Sequence, residues 1–253
     1  MSHAATLAMY DGVPCQELRA RAGAAHLVAV AQCASTMDLA HVLAADGALH
    51  GTAVVAEEQH AGRGRTGKRW SSSARHGVWV SVVLREALDA ATGVLSLRAG
   101  ITLARALDAR ADGRVQLKWP NDLYVADAKL AGILTEARWR GDALEWIVVG
   151  VGVNVGSAVA ALPDADRARL VGARPCDVLV DVIRSVLSAA AERGPLTPRE
   201  LAEFDGRDLA KGRSVTAPLA GVVTGITDTG GVRVMVDGIE QVAVAGSLVF
   251  GTS

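Results

Sequence analysis

The stretch from residue 62 to residue 70 reads Gly-Arg-Gly-Arg-Thr-Gly-Lys-Arg-Trp. Four of its nine residues are cationic, three are glycine and none is acidic. Glycine lets a backbone adopt positive φ and approach a ligand closely, and clustered Arg and Lys side chains donate to carboxylates and phosphates. The composition therefore predicts a loop that binds anions and is mobile without them. For such a run taken alone, a solvated basic loop without a ligand is the alternative.

Two phosphate-binding motifs resemble parts of the chain but lack their essential residues. A P-loop has the spacing from Gly62 to Lys68, followed by Ser or Thr and a helix. Here Arg69 follows, and residues 70–73 (Trp-Ser-Ser-Ser) are poor helix formers. Residues 150–155 begin like a dinucleotide fingerprint, but valine stands where the third glycine belongs. Neither motif is therefore predicted.

The whole chain of 253 residues is half hydrophobic and carries a formal net charge of −1. A chain of this length has room for one large domain and a small one. The balanced charge excludes a general nucleic-acid binder, which needs a broad basic excess. No apolar run approaches the ~18 residues of a spanning helix, and the N-terminus lacks the pattern of a secretory signal. We therefore expect a cytoplasmic protein without nucleic-acid or membrane partners.

The cysteines and histidines show no metal-binding spacing. Cys15, Cys33 and Cys176 are scattered, as expected of reduced, small apolar residues. The six histidines form no His-Glu-x-x-His pair or similar arrangement. The sequence therefore predicts no metal bound tightly by the protein itself.

Hydrophobic periodicity predicts strands with helices between them. Strands are expected at residues 26–33, 51–57, 78–84, 115–119, 123–125, 129–137 and 144–153. Helices are expected at residues 94–107, around 178–187 with Asp177 as the cap, at 198–209, and after Ser35 and Thr36, with Leu39, Val42 and Leu43 as an apolar stripe. Residues 120–122, Pro-Asn-Asp, predict a turn. This succession indicates an α+β domain with a mixed β-sheet and flanking helices.

The composition changes near Lys211. Residues 213–253 are rich in Val and Gly and lack a helical period. Short apolar runs at 214–217, 222–226, 232–236 and 241–244 are separated by turn signals at 228–231 and 237–238. They predict a small C-terminal β-barrel of about five strands, similar to an SH3 fold. The predicted units are therefore an N-terminal extension (1–25), a main domain (26–210) and the barrel (211–253).

Four motifs follow one another along the chain. After the loop come residues 118–122 (Lys-Trp-Pro-Asn-Asp), 129–136 (Lys-Leu-Ala-Gly-Ile-Leu-Thr-Glu) and 150–154 (Gly-Val-Gly-Val-Asn). Each is weak alone, but this set, with Ser35 and Thr36 ahead of it, resembles the biotin–protein ligases over about residues 26–253. The resemblance implies the catalytic fold of class II synthetases and biotin/lipoate ligases for residues 26–210.

The resemblance also implies a two-step reaction that uses ATP and Mg²⁺, with biotin as substrate. Biotin and ATP would give biotinyl-5′-adenylate and pyrophosphate. The biotinyl group would then pass to one lysine of a biotin carboxyl carrier domain, such as that of acetyl-CoA carboxylase. We expect the enzyme to be a monomer or a weak homodimer.

Site residues follow from the resemblance position by position. For biotin it implies Ser35, Thr36, Gln59, Gly62, Arg63, Arg65, Lys129, Gly132 and Leu134. For ATP it implies Arg65, Lys68, Trp70, Lys118, Asn121, Asp122, Lys129 and Asn154. Ser35, Thr36 and Gln59 would bind the ureido ring, and Gly62 and Arg63 would act through backbone amides. Trp70 would pack against adenine. Arg65 and Lys129 are the catalytic candidates, and Mg²⁺ would arrive with ATP, near Asp122.

Several of these residues have simpler explanations. Trp119 is expected in the core, Asp122 would otherwise be a turn residue, and Ser35 with Thr36 would otherwise cap a helix. Lys129 is the least easily explained, because lysine is rarely buried unless it is paired. The family often has an acidic residue before the Ser-Thr pair and Asn after it, where this chain has Ala34 and Met37.

Two other functions compete with the ligase. One is a lipoate or octanoate ligase of the same superfamily, against which the loop at 62–70 argues. The other is a non-catalytic biotin sensor or DNA-binding regulator. The near-neutral charge, the retained cations and the roughly 25 residues before the first strand argue against it.

Overall fold

The computed structural model of the protein describes residues 5–67, 69–70, 72, 76–85, 92–156 and 169–251. Within these ranges, helices α1–α5 span Cys15–Ala22, Thr36–Ala45, Thr92–Leu107, Pro175–Ala191 and Pro198–Asp205. Strands β1–β9 span Met9–Tyr10, Val13–Pro14, His26–Cys33, Thr52–Gln59, Gly77–Leu84, Gln116–Lys118, Asp122–Val125, Ala128–Arg140 and Ala143–Asn154. Strands β10–β14 span Ser214–Ala217, Gly221–Ile226, Val232–Val236, Ile239–Ala243 and Val249–Phe250.

Seven of these strands form one sheet in the order β3-β4-β5-β9-β8-β7-β6. β3 and β4 run parallel, and the other neighbouring pairs run antiparallel. A parallel pair needs a crossover connection, which α2 provides, whereas short turns join β6 through β9. The predicted mixed sheet with flanking helices is confirmed.

Strand β5 lies in the middle of the sheet, and all of its residues are buried. Alternate side chains of a strand point to opposite faces. Val83 therefore packs with Met37 and Ala40 of α2 on one face. Val82 packs on the other face, in the large core that includes α3 and α4. A continuous apolar run is what a strand covered on both faces requires.

The apolar stripe predicted for α2 is partly wrong. Val42 is exposed, whereas Met37, Ala40 and Ala44 are buried against the sheet. Small alanine side chains let the helix axis approach the sheet closely, so the buried face centres on them. The predicted residues Leu39 and Leu43 are partly buried and cover only the margin of this second core.

The ends of two later helices also differ from the prediction. Asp177 does not cap α4, because Arg174 is the N-cap residue and the Asp177 carboxylate pairs with Arg21 of α1. Helix α5 ends at Asp205 and not at Leu209. The residues beyond it leave the helix because their backbone bonds to Leu117 of β6.

The C-terminal strands form a separate antiparallel sheet in the order β13-β12-β11-β10-β14. Four of them coincide with, or overlap, the runs predicted from the sequence, and the arrangement is consistent with the predicted SH3-like unit. The turn between β11 and β12 rests on the main unit, where Trp119 Nε1 donates to the Gly230 carbonyl oxygen over 2.8 Å. Trp119 is buried, as predicted.

Residues 5–25 are part of the main core. The pair β1–β2 and helix α1 bury Tyr10, Leu18 and Ala22 against the face that carries α3 and α4. The predicted boundaries at residues 25 and 210 remain predictions. In the described ranges, no helix combines the length and apolar character needed to cross a membrane.

The carboxyl group of Asp208 lies in the segment that joins the two sheets. Burial raises its pKa from 3.8 to about 6, and the nearby Asp205 carboxylate adds to the effect. A carboxyl group with a raised pKa binds its proton more tightly in the folded than in the unfolded state. It therefore stabilises the fold at low pH, and this stability is lost as the pH rises from about 4 to about 6.

We predict that Asp208→Asn gains stability over the wild type as the pH rises through this window. The gain should reach at most about 3 kcal/mol at pH 7, because one pKa unit corresponds to about 1.4 kcal/mol. Asparagine can still accept from the Ala210 N–H, which bonds Asp208 over 2.9 Å. Urea unfolding at pH 4 and pH 7 measures the difference. The exposed Asp112→Asn is the control, and a pH-independent difference for Asp208→Asn would contradict the prediction.

Candidate active site

A cleft of about 1010 Å³ crosses the main sheet. The loop at 62–70, the strands β5, β7, β8 and β9, and the C-terminal sheet line it. Most of the predicted site residues are in this lining, namely Thr36, Gln59, Arg63, Arg65, Trp70, Lys118, Asn121, Asp122, Lys129, Gly132, Leu134 and Asn154.

Two predicted residues, Ser35 and Gly62, lie outside this lining. Ser35 is buried as the N-cap of α2, where its Oγ accepts from Met37 N–H over 3.3 Å. Gly62 lines a smaller pocket behind the loop, and its carbonyl oxygen accepts from Trp70 N–H over 2.9 Å. Lys68 lies outside the described residues. The simple explanation of Ser35 as a helix cap is therefore confirmed.

A network of uncharged polar groups forms the cleft wall next to α2. Gln59 Oε1 accepts from the backbone N–H of Thr36 over 2.8 Å and from its hydroxyl over 3.1 Å. The same hydroxyl lies 2.8 Å from Ser81 Oγ, and Gln59 Nε2 donates to Ser72 Oγ over 2.8 Å. Such a cluster of fixed donors and acceptors suits a neutral polar ligand group with both N–H and C=O.

Lys129 reaches the cleft because of a β-bulge between β7 and β8. The register pairs Tyr124 with Lys129 but Asp122 with Gly132. Lys129 and Gly132 are three residues apart and would point to opposite faces of a regular strand. The extra residue reverses the alternation, so both line the cleft.

The bulge also brings a cation and a carboxylate together. Lys129 Nζ lies 2.7 Å from Asp122 Oδ1 and 5.1 Å from the centroid of the Trp70 ring. Asn154 Nδ2 donates to the Lys129 carbonyl oxygen over 3.1 Å, which fixes the start of the strand. Lys129 is thus paired, as a partly buried lysine must be.

Arg65 begins a single 3-10 turn, Arg65–Gly67, and not the helix that a P-loop requires. Its Nη1 donates to Asn121 Oδ1 over 3.4 Å. Asn121 is held in turn by β8, because its Nδ2 donates to the Ile133 carbonyl oxygen over 2.6 Å. Burial lowers the pKa of Arg65, and the Asp122 carboxylate opposes this effect. Arg65 is therefore a half-buried cation facing the cleft.

The side chain of Arg63 forms ion pairs that were not predicted from the sequence. Its Nη2 lies 3.0 Å from Asp38 Oδ1 of α2 and 3.0 Å from Glu136 Oε2 of β8. These two ion pairs, here called the Arg63 latch, hold the loop against the main unit.

A second layer orients the carboxylate of the latch. Trp146 Nε1 donates to His41 Nδ1 over 3.0 Å, so His41 carries its proton on Nε2. His41 Nε2 lies 3.0 Å from Glu136 Oε2 and donates to it. This hydrogen bond and the nearby Arg63 lower the pKa of Glu136 despite its burial. Glu136 therefore keeps its negative charge well below neutral pH.

The Trp70 ring lies flat on the cleft floor, where β8 and β9 pair Gly132 with Gly152. A Cβ atom at Gly152 would lie 2.6 Å from Trp70 Nε1, and one at Gly132 would lie 2.9 Å from Trp70 Cζ3. Only glycine at both positions gives the ring this space. Gly132 was predicted to border biotin and Trp70 to pack against adenine. In the structure the two residues are in contact.

Lys118 lies at the other end of the cleft. Its Nζ is 5.7 Å from the centroid of the Tyr124 ring and 4.6 Å from that of Phe250. Phe250 belongs to the C-terminal sheet, so both units build this end. In the part of the chain that the structure describes, no three His, Cys, Asp or Glu side chains form a metal-binding group.

The sequence is similar to those of known proteins. A model of the biotin/lipoate A/B protein ligase family matches residues 30–154. The biotin–[acetyl-CoA-carboxylase] ligase of Mycobacterium tuberculosis is 33% identical over 250 residues, which cover 92% of either chain. This chain belongs to the biotin/lipoate A/B protein ligase family.

Other members of the family agree with this assignment. The bifunctional ligase/repressor BirA of Bacillus subtilis is 34% identical over 169 residues, 66% of this chain and 48% of that protein. The chain thus spans about half the length of that relative. A biotin protein ligase from Aquifex aeolicus, solved with biotin and ATP, has a TM-score of 0.77 at 24% identity. It covers 90% of this chain and 100% of its own, and shows the same fold. The resemblance to biotin–protein ligases is confirmed.

Several residues in or around this family member's cleft were given no role from the sequence. Ser72 lies two residues after Trp70, in a run noted only as poor helix material, and Glu136 ends a quoted motif but was given no role. Ser81 lies inside an otherwise apolar strand, and Phe250 lies near the end of the sequence. No local pattern distinguishes Ser81 and Phe250 from other strand residues.

We predict that Asp38→Asn/Glu136→Gln loosens the loop. The variant removes both carboxylates that Arg63 contacts, and a partly exposed ion-pair network is worth about 1 kcal/mol. Amide hydrogen exchange of residues 62–67, followed by mass spectrometry, should accelerate about 5-fold. Glu145→Gln, whose carboxylate pairs with Arg140 near the β8–β9 turn, is the control. If both variants exchange like the wild type, the latch does not hold the loop.

Proposed function

We propose that this protein is an ATP-dependent biotin–protein ligase. It would form biotinyl-5′-adenylate and pyrophosphate from biotin and ATP. It would then transfer the biotinyl group to a lysine of a biotin carboxyl carrier domain. One observation carries the proposal most directly. The cleft joins an uncharged polar wall around Thr36 and Gln59 to a cation-rich end around Lys118, with Lys129 and Arg65 also in the lining.

The first step needs these cations for an electrostatic reason. Biotin's carboxylate must attack the α-phosphate of ATP, and both groups are anions. Their repulsion at 4 Å is ~1 kcal/mol in water and ~4 kcal/mol at an effective dielectric constant near 20. Lys129 and Arg65 would offset this repulsion and stabilise the charge that develops in the transition state. The carboxylate–phosphate anhydride forms as the bond from the α-phosphorus to pyrophosphate breaks.

Other residues would bind the rest of each substrate. Thr36 and Gln59 would bind the ureido ring, with Ser72 and Ser81 behind them. Gly132 and Leu134 would border the apolar part of biotin, and Trp70 would pack on the ligand after the loop adjusts. The nucleotide would be bound by Lys118, Asn121, Asp122 and Asn154, together with Lys68.

The cleft has a hard oxygen donor that suits Mg²⁺. The Asp122 carboxylate borders the cleft, and Mg²⁺ usually binds one or two carboxylates together with phosphate oxygens. Bound with ATP, the ion would neutralise phosphate charge. Asp122 would then release Lys129 for the biotin carboxylate.

Biotin is favoured over lipoate by the polar wall. The polar groups of Thr36, Gln59 and Ser72 offer hydrogen-bond donors and acceptors, which suit a ligand that has both. A ureido ring has both, whereas a dithiolane ring has neither. A site built to hydrogen-bond its substrate discriminates strongly against an analogue that leaves its buried polar groups unpaired.

Incubation with ATP, Mg²⁺ and biotin tests the proposal. Pyrophosphate release should depend on biotin, and lipoate or octanoate should not replace it. Adding a carrier domain should place a biotin-sized adduct on one lysine, as seen by mass spectrometry. Equal release with lipoate would favour the lipoate-ligase alternative. Biotin binding without pyrophosphate release would favour the sensor. The proposal carries three further expectations: a biotin carboxyl carrier domain as the acceptor, a cytoplasmic location and a monomeric or weakly dimeric state.

We predict that Lys129→Ala lowers the rate of adenylate formation by about 10²–10³-fold, because it removes a fixed cation from between two anions. The fold should survive, since Lys129 is partly exposed and its partner Asp122 can be solvated from the cleft. The rate is measured by biotin-dependent pyrophosphate release, with circular dichroism as a check on folding. Lys211→Ala, at a surface pair with Asp205, is the control. A loss of only a few-fold would make Lys129 a structural residue.

A further inference from the structure

The C-terminal sheet places one aromatic ring and one arginine in the cleft, and neither has a role so far. Phe250 and Arg213 both line the cleft at the end where Lys118 lies. The Arg213 Cζ lies 3.9 Å from the centroid of the Phe250 ring, and Lys118 Nζ lies 4.6 Å from the same centroid. Lys118 of the main sheet and Arg213 next to the C-terminal sheet therefore both lie close to the Phe250 ring.

The ring itself is held by the sheet. Phe250 pairs with Val215 across β14 and β10, and Gly251 N–H donates to the Ser214 carbonyl oxygen over 3.0 Å. Paired residues of neighbouring strands point to the same face, and Val215 is buried in the core. The pairing of β10 with β14 thus fixes Phe250, and Arg213 directly precedes β10.

Aromatic stacking orients a guanidinium group without neutralising its charge. The ring face attracts the cation, and the planar Arg group stacks on rings better than Lys does. Arg213 can therefore stay in place while its N–H donors bind an anion.

A carboxylate now occupies those donors. Arg213 Nη1 lies 2.8 Å from Asp127 Oδ1, in the two-residue turn between β7 and β8. The two side chains are 43% and 72% exposed. An ion pair so exposed contributes little to stability, so a multiply charged anion in the cleft can displace Asp127.

We infer that Arg213, stacked on Phe250 beside Lys118, binds the β- and γ-phosphates of ATP and the pyrophosphate that leaves. This inference rests on the proposed function. With Arg65 and Lys129 beside the reacting groups, the remaining phosphate tail needs further cations, and Lys118 and Arg213 share one place in the lining. Phe250 is a positioning residue for both, and Asp127 neutralises Arg213 until the nucleotide arrives.

The test compares three variants by calorimetric titration with inorganic pyrophosphate at low ionic strength. Arg213→Ala should weaken binding about 10-fold, since it removes a charge-assisted hydrogen bond from a partly exposed site. Phe250→Leu keeps the apolar packing but loses the ring face, and should weaken binding about 3-fold. Asp127→Asn should strengthen binding, because it removes the competing carboxylate.

The Asp127 variant separates a phosphate site from a structural tether. If Arg213 and Asp127 only join the two units, both substitutions should leave pyrophosphate affinity unchanged or lower it together. Either result overturns the inference. Arg199→Ala, exposed on α5 and outside the cleft lining, is the control and should bind like the wild type.

A kinetic measurement separates this inference from the proposed function. In the ligase reaction, Arg213→Ala should raise the KM for ATP about 10-fold and leave the KM for biotin within about 2-fold, in line with the lost phosphate contact. An unchanged KM for ATP in an active enzyme overturns only the inference. A wild type that releases no pyrophosphate with biotin overturns the proposed function, and binding of pyrophosphate alone then decides whether an anion site exists.

Discussion

The β-bulge in the β7–β8 pair is the constraint on which the cleft depends. With regular alternation, Lys129 would point away from the face that carries Gly132, and no lysine of β8 would face the cleft. The extra residue places Lys129 Nζ 2.7 Å from Asp122 Oδ1 and 5.1 Å from the centroid of the Trp70 ring. It leaves Leu130 and Ala131 as two successive buried residues, which fill the core behind the site. One local irregularity thus serves both the packing and the chemistry.

The cations around the cleft share a common arrangement. Lys129 pairs with Asp122, Arg213 with Asp127, and Arg63 with Asp38 and Glu136. A protein that must bind polyanions needs clustered positive charge, yet that charge repels itself when no ligand is bound. Carboxylates at the rim neutralise it and, being partly exposed, give it up at low free-energy cost. Arg65 differs from these three, because it contacts the amide of Asn121 and burial lowers its pKa.

The two units depend on each other at the cation-rich end of the cleft. The indole of Trp119, within the Lys-Trp-Pro-Asn-Asp motif, donates to a turn of the C-terminal sheet. Residues 207–209, which lead to that sheet, bond to both sides of Leu117 in β6. These contacts fix where Phe250 lies relative to Lys118. The hydrogen bond of the buried Trp119 indole thereby supports the charged site at the neighbouring residue, Lys118.

The sequence by itself determined the order of the strands and helices from residue 26 onward and the mixed sheet, through period-2 and period-3.6 apolar patterns and a turn at Pro120-Asn121-Asp122. Its resemblance to the biotin–protein ligases indicated twelve residues of the cleft lining. The sequence misjudged Val42 and Asp177, because the buried face of α2 and the cap of α4 depend on neighbouring elements. Only the tertiary structure decided that a bulge turns Lys129 into the cleft, that Arg63 pairs with Glu136, and that Phe250 meets Lys118. Such contacts join residues distant in the chain, and strand register and sheet docking set them, so no local pattern encodes them.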